Sequence, residues 1–479
     1  MSEHSEHTDR HELIVVGGGP GGYAAAFHAA DLGMKVTLID PEDNPGGVCS
    51  YYGCIPSKAA LHVAKVITEA AEAKGWGVSF TKPKINIEKV RAWKNDVVGK
   101  LTGGLGQLSK QRKVEHIKGT AKFVDSHTLE VSNGKKKEKL SFERAIIATG
   151  SVVAKVPSFP DYSSHVMDST KALEFESIPG SLLVVGGGYI GLELGTVYAA
   201  LGSKVTVIEM TSGLLPEVDR DLVLPLKQRL DGIFDSIMLE TTVTEMKVQK
   251  NGVKVHYKGK DGKQENATSR LFDKVLVAVG RRPNSKGIGL ENTKVELDER
   301  GFIKVDEQRR TSEEHIYAIG DIAGEPMLAH KASHEGRVAV EAIAGKAVAF
   351  EPRAIPAVVF TDPEIAWCGL TESEAKARGR DVKTAKFPWR ASGRAATLGR
   401  GDGVTKLVID PQTERILGGG ITGPGAGEMI AELVLAVEMA ATVDDLALSI
   451  HPHPTLSETV MEAAEIYHGP STHFYRPKH

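Results

Sequence analysis

The sequence predicts an α/β chain of two doubly wound units followed by an α+β segment. Three observations carry this reading. A strand–glycine turn–helix–strand pattern occurs twice, each copy leads into a β-meander and an apolar strand, and the pattern changes after about residue 350. The length of 479 residues agrees, since ~150 residues per domain gives about three domains.

The first copy is HELIVVGGGPGGYAAAFHAADLGMKVTLID and the second is GSLLVVGGGYIGLELGTVYAALGSKVTVIE. Gly17, Gly19 and Gly22 match Gly186, Gly188 and Gly191 at one offset, and Asp40 matches Glu209 at the same offset. A buried strand delivers the chain to a tight turn where glycine permits positive φ and lets backbone approach a pyrophosphate. The helix that follows points its first N–H groups at the phosphates. The acid closing the second strand can accept from a ribose hydroxyl. Two such units, each correctly framed, argue for two Rossmann-like nucleotide-binding domains.

After the first unit, residues 112–147 read as β-hairpins, with Asn133-Gly134 as a turn and KKKEK as its solvated end. A second meander spans 242–272 around Asp261-Gly262. Apolar strands then end at Gly150 and Gly280, and a further strand, HIYAIGD, runs from His315 to Asp321. The second unit is therefore expected as an insertion in the first. Beyond 350, AVVFTDPEIAWCGL suggests a strand, with a helix opening near Thr371 and Glu372 and Glu374 in its first turn. KLVID and ILGGGITGPG read as paired strands and EMIAELVLAVEMAA as an amphipathic helix. The boundaries expected are 1–152, 153–282, 283–350 and 351–479, the first and third being halves of one domain.

Composition excludes several classes. With 59 basic and 62 acidic side chains the formal net charge is −3, which argues against a polyanion binder. Three cysteines exclude a disulfide-stapled secreted scaffold. No metal site is expected. The polar start MSEHSEHTDRHE shows no targeting pattern, its histidines read as a solvated tail, and no apolar stretch reaches the ~18 residues of a membrane span. A soluble cytoplasmic protein is expected.

Two cysteines, Cys49 and Cys54, lie five positions apart in GGVCSYYGCIPSKAALHVAKVI. The run from Ser57 is helical by pattern, and Pro56 suits a helix start. Cys54 thus falls just before a helix N-terminus, whose dipole favours thiolate, the reactive form. A cytosolic chain has little use for a structural disulfide, and no second Cys/His pair lies nearby to complete a metal site. The pair reads as a redox-active disulfide rather than two buried thiols. Cys368 has no sequence partner and reads as a small core residue. Near the C-terminus, HPHPTLSE holds His451, His453 and Glu458. A general base wants an orienting carboxylate, but by itself such a pair reads as surface or capping.

The segments C-x4-C-I-P-S-K, the paired glycine turns, TSEEHIYAIGD, MLAHKASHEG and HPHPTLSE occur in one order from Leu13 to about Tyr467. In this the chain resembles the flavoprotein disulfide reductases with two dinucleotide domains (class I pyridine nucleotide-disulfide oxidoreductases), and among them the dihydrolipoamide dehydrogenase group. The resemblance implies a glutathione-reductase-like fold with a C-terminal dimerisation domain. It assigns FAD to Gly17, Gly19, Gly22, Asp40, Gly150, Asp321 and Ala329, and the nicotinamide nucleotide to Gly186, Gly188, Gly191, Glu209 and Gly280. Glu209 favours NAD over NADP, because a carboxylate repels a 2′-phosphate. Lys58 and Glu193 are implied as an ion pair beside the flavin, Cys49 as the interchange thiol and Cys54 as the flavin-facing one. His453 with Glu458 is implied as a base dyad reaching the other subunit's disulfide in a homodimer. The implied activity is oxidation of protein-bound dihydrolipoamide with NAD⁺ reduced to NADH, and the implied partners are lipoyl domains and core subunits of 2-oxoacid dehydrogenase or glycine cleavage complexes. The alternative is a reductase of the glutathione type. Two features depart from the group. Tyr51 and Tyr52 lie between the cysteines, where packing is the expectation over substrate access. Tyr189, after the second turn, resembles the flap tyrosine of glutathione-reductase-type relatives.

Overall fold

A computed structural model of the chain describes residues 10–259 and 268–475. The early histidines His4 and His7 and the Asp261-Gly262 turn lie outside the described residues. The chain divides into two compact units, Met1–Ala59 with Glu88–Lys155 and Gly280–Glu351, and Ala60–Ile87 with Val156–Val279 and Pro352–His479.

In the first unit the apolar run after Glu12 forms the strand His11–Val16, whose alternation sends Leu13 and Val15 to one core and Ile14 and Val16 to another. A strand buried on both faces suits the middle of a parallel sheet covered on each side. Its parallel neighbours are Val36–Asp40 and Lys136–Ile147, and Glu115–Lys118 lies outside Val36–Asp40. The first half of Lys136–Ile147 also pairs antiparallel with Thr128–Asn133, through the Asn133-Gly134 turn where Gly134 has φ +60. Ile316–Ala318 joins the same sheet parallel to Lys136–Ile147, with Tyr317 opposite Ile146. His11, expected in the solvated tail, instead opens the first strand, its Nδ1 2.8 Å from Thr37 Oγ1. Helix Pro20–Asp31 packs on helix Ala329–Ile343 closely enough that a Cβ at Gly336 would stand 2.8 Å from the Gly21 carbonyl oxygen.

The second unit repeats the parallel plan. Its order is Ser236–Met238, Lys204–Ile208, Ser181–Val185, Lys274–Val277, Val166–Met167, with the meander Thr241–Gln249, Gly252–Gly259 and Thr268–Phe272 beside it. The α+β segment is a five-stranded antiparallel sheet. The 357–370 stretch, read as one strand, is a hairpin of Ala357–Val359 and Ile365–Gly369. Helix Glu372–Ala377 starts where expected, with a full capping box between Thr371 and Glu374. Cys368 is 1% exposed in the core with Trp389 and Leu433, and burial pushes its thiol up to about 12.

One ionic cluster fastens the dinucleotide part of this unit to the α+β part. Lys406, 1% exposed, donates to Asp219 Oδ2 at 2.8 Å and Glu372 Oε2 at 2.6 Å. Asp219 also accepts the Glu372 and Ser373 N–H groups at 3.0 Å each. Burial opposes its ionisation, but Lys406 and Ser373 prevail and hold its carboxyl down to about 2. Removing the cation would strand the buried Asp219 carboxylate, a loss of ~3–5 kcal/mol.

Candidate functional site

The first glycine turn has one task per glycine. Gly17 has φ +104, and a Cβ there would lie 2.3 Å from the Ala148 carbonyl oxygen; at Gly22 it would lie 1.8 Å from that of Gly17. Gly19 differs: its φ is −68, and a Cβ would meet nothing within 4 Å. Two glycines thus close the turn, and the third leaves open space before the helix N-terminus, which no side chain caps. That is the cradle a pyrophosphate needs. Asp40 holds the turn, accepting from Gly18 N–H at 2.6 Å and Glu42 N–H at 3.0 Å. Burial pushes its carboxyl up, against those two bonds.

The cysteine segment lies against this turn. Gly46 N–H donates to the Gly18 carbonyl at 2.7 Å, and a Cβ at Gly47 (φ +56) would stand 2.4 Å from Gly19 Cα. This glycine pair, whose closeness to GVC is its only signal in the sequence, lets the cysteine segment approach. Cys49 sits in a short helix of its own, Gly47–Tyr52, and Cys54 is the first residue of Cys54–Glu72. That helix therefore opens three residues before Ser57, with Pro56 inside its first turn, where its missing N–H costs no helical bond. The Cys49 and Cys54 side chains hydrogen-bond as thiols. That bond, then burial and the neighbouring sulfur's charge, push the Cys49 thiol up, while Lys58 pulls it down. Cys54, as the first residue of its helix, sits where the helix dipole favours a thiolate. Tyr23, which the sequence reading missed, has its phenol raised by burial and by the charges of both cysteines. Tyr51 and Tyr52 turn to the loop after Asp40: Tyr51 Oη donates to the Asn44 carbonyl at 3.1 Å, and Tyr52 Oη to Glu42.

Asp321 belongs to the same unit, and its charge also acts on Cys49. Gly320, beside it, donates its N–H to Glu335 Oε2 at 2.6 Å. Glu335 is fully buried between Arg309 Nη1 and Lys331 Nζ, each 3.0 Å from its Oε1. Ala329 is the first residue of its helix, again without a side-chain cap, and Gly150 has φ +68 beside open space.

In the second unit the turn is rebuilt point for point. A Cβ at Gly186 (φ +109) would lie 2.4 Å from the Ala278 carbonyl oxygen, one at Gly191 2.4 Å from that of Gly186, and one at Gly188 would meet nothing. Glu209 accepts from Gly187 N–H at 2.6 Å and Thr211 N–H at 2.7 Å. Gly280, by contrast with Gly186, is assigned to the first unit, with φ +117 and open space around it. Tyr189 is the first residue of helix Tyr189–Ala200 and 37% exposed. Glu193 is buried in that helix, and its Oε1 accepts from Phe360 N–H at 3.0 Å.

The C-terminal histidines separate. His453 Nδ1 lies 2.8 Å from Glu458 Oε1, and Thr455 N–H donates to Glu458 Oε2 at 2.7 Å. Burial opposes ionisation of Glu458, but Thr455 and His453 outweigh it and lower its pKa. With Nδ1 engaged and the side chain 70% exposed, His453 offers Nε2 outward. His451 is 7% exposed and pairs with Glu432 at 2.8 Å, which removes it from the cluster.

These features are those of a two-fingerprint nucleotide enzyme carrying a dithiol, and the family comparison agrees. Residues 11–336 match the pyridine nucleotide-disulphide oxidoreductase family and residues 355–464 its dimerisation domain, so the chain belongs to that family. It is similar to the dihydrolipoyl dehydrogenases of Vibrio cholerae serotype O1 (48% identical over 461 residues, 96% of each chain) and Haemophilus influenzae (48% over 462 residues, 96% of each). That of Geobacillus stearothermophilus is 46% identical over 464 residues, 96% of this chain and 97% of that one. Among solved structures, LpdA from Mycobacterium tuberculosis superposes with a TM-score of 0.88 at 27% identity, covering 95% of this chain and 99% of that one. RclA, an HOCl-induced flavoprotein disulfide reductase from Escherichia coli, gives 0.84 at 27%, covering 95% and 100%. Among the described residues no helix is long and apolar enough to cross a membrane.

Proposed function

We propose that this chain oxidises the dihydrolipoamide of lipoyl domains to lipoamide and reduces NAD⁺ to NADH, through FAD and a Cys49–Cys54 disulfide. The observation that carries this is the thiol pair itself, held against a phosphate-type turn by Gly46 and Gly47. Gly17, Gly19, Gly22, Asp40, Gly150, Asp321 and Ala329 would hold FAD. Gly186, Gly188, Gly191, Glu209 and Gly280 would hold NAD, and Glu209 disfavours a 2′-phosphate.

In the disulfide form, His453 Nε2 takes a proton from one substrate thiol. The resulting thiolate attacks Cys49 Sγ; the Cys49–Cys54 bond breaks and Cys54 leaves as thiolate. The second substrate thiol, releasing its proton to solvent, attacks the substrate sulfur of the mixed disulfide and closes the ring of lipoamide. Cys49 departs with the electron pair and takes back the proton held by His453. Bound FAD supplies the two-electron path from the dithiol to NAD⁺. Glu458 keeps the His453 ring oriented through its Nδ1. Lys58 and Glu193 form the ion pair beside the flavin in this reading.

The dimerisation domain supports a homodimer. We place His453 and Glu458 of each subunit at the other subunit's disulfide, and the enzyme in the cytoplasm as the shared component of 2-oxoacid dehydrogenase or glycine cleavage complexes. The test is to purify the protein, record its flavin spectrum, and assay NAD⁺ and NADP⁺ with dihydrolipoamide against NADH and NADPH with oxidised glutathione. NADH formation from dihydrolipoamide that is lost in Cys54→Ser supports the reading; full activity in that variant refutes it.

A further inference from the structure

Arg281 lies outside every motif above, yet it is tied to the Asp321 carboxylate through one hydroxyl. The chain leaves the first unit along Ser151–Val153 and returns to it along Arg281–Pro283, and these two strands pair antiparallel. Ala154 N–H donates to the Gly280 carbonyl at 3.0 Å and Asn284 N–H to that of Gly150 at 2.9 Å, which closes the ribbon at both ends. Ser151 is 4% exposed in it. Arg281 Nε donates to Ser151 Oγ at 2.7 Å, and its Nη2 donates to the Ser151 carbonyl at 2.6 Å. The Ser151 hydroxyl spends its one proton on Asp321 Oδ2, at 2.5 Å.

We propose that Arg281 is a positioning residue that, through Ser151, holds the Asp321 carboxylate ready to accept from the ribityl hydroxyls of FAD. The inference rests on the flavin reading of Asp321. A hydroxyl has one donor and two acceptor sites. With the guanidinium filling an acceptor site, the proton has one carboxylate to go to, and a donor polarised by a cation binds that carboxylate more strongly. The guanidinium is a fork on two atoms of one residue, so it fixes the serine's rotamer as well as its charge. The residue before Asp321 is pinned by Glu335, which accepts from Gly320 N–H. Asp321 is thereby fixed before any ligand arrives, and the cost of ordering it on binding is removed.

The test measures FAD release from the purified holoenzyme after dilution, by the recovery of flavin fluorescence. Wild type is compared with Arg281→Met, Arg281→Lys, Ser151→Ala and the Ser151→Ala/Arg281→Met double variant. Arg281→Met should release FAD about tenfold faster or more. Ser151→Ala should act alike, and Arg281→Lys should recover part of the loss. Because both substitutions break one relay, the double variant should be no faster than the worse single one. Wild-type release from Arg281→Met, or an effect that multiplies in the double variant, overturns the relay. If Arg281→Met does not fold, Ser151→Ala decides alone: an unchanged release rate sinks the proposal. A wild-type protein that neither carries FAD nor takes it up overturns the flavin reading and the relay with it.

Discussion

Gly19→Ala separates the glycines that build the first turn from the one that leaves room in it. The backbone at Gly19, φ −68 and ψ −179, is open to any residue, and an added Cβ meets nothing within 4 Å. Losing glycine at an N-cap and stiffening the unfolded chain act in opposite directions, so apoprotein stability should move by less than about 1 kcal/mol. The same methyl at Gly22 would stand 1.8 Å from a carbonyl oxygen, and that variant should fail to fold. At Gly19 the methyl occupies the space in front of the helix N-terminus. A pyrophosphate pushed outward forfeits at least one charge-assisted hydrogen bond, about 1.5–3 kcal/mol, or roughly 10- to 150-fold in FAD affinity. The assay is reconstitution of apoprotein followed by flavin fluorescence, with thermal melting of the apoprotein as control. Gly188→Ala, at φ −80 and equally open, should weaken NAD⁺ and leave FAD alone. A Gly19→Ala protein that binds FAD within twofold of wild type would refute the division of labour among the glycines.

Further outcomes are expected. Glu458→Gln keeps the shape of the His453 contact but removes its charge, and should slow the dihydrolipoamide half-reaction roughly 10- to 100-fold in stopped flow while FAD content stays constant; an equal fall in NADH oxidation by an artificial electron acceptor would contradict the role given to the dyad. Asp219 falls from its ordinary 3.8 to about 2 on folding. Its contribution, on the order of 2 kcal/mol, is complete above pH ~4 and disappears as pH drops towards 2. In urea unfolding the gap between wild type and Asp219→Asn should narrow over that interval, and a gap independent of pH would count against it. Native, reduced protein should leave Cys368 unlabelled by a thiol reagent at pH 8 and expose it in urea; labelling without denaturant would mean that its core opens.

What could be read in advance follows the range of the forces involved. The glycine turns and their acids were legible because much of turn geometry is local: the positive φ of Gly17 and Gly186, and the approach of Gly22 and Gly191 to the carbonyls of those same glycines, are set within the turn. The cysteine pair was legible for the same reason, yet Cys49's own helix was not, since six residues make too short a pattern. Ser151 and Arg281 gave no signal, because their partners lie 170 and 130 residues away in the chain. Glu335 was hidden likewise, its second cation, Arg309, being 26 residues back. The two histidines of HPHPTLSE are equals in sequence, and only Glu432, on another helix, takes His451 out of the pair. Tyr51 and Tyr52 were ambiguous until Asn44 and Glu42 were seen to receive them.

The hydrogen bond from Gly46 N–H to the Gly18 carbonyl has a twin. At the same offset that relates the two fingerprints, Leu215 N–H donates to the Gly187 carbonyl at 3.0 Å. The two halves of this chain therefore share a latch as well as a turn. In one half the latch is glycine, and the chain runs on through Gly47 to the sulfur pair. In the other it is a fully buried leucine that itself belongs to the hydrophobic core. A repeated scaffold with a different latch residue in each copy explains how one architecture leads to a thiol pair in its first copy and to an apolar contact in its second. It also marks the latch as the place where the copies part, because the strand, glycine turn, helix and acid before it recur in both.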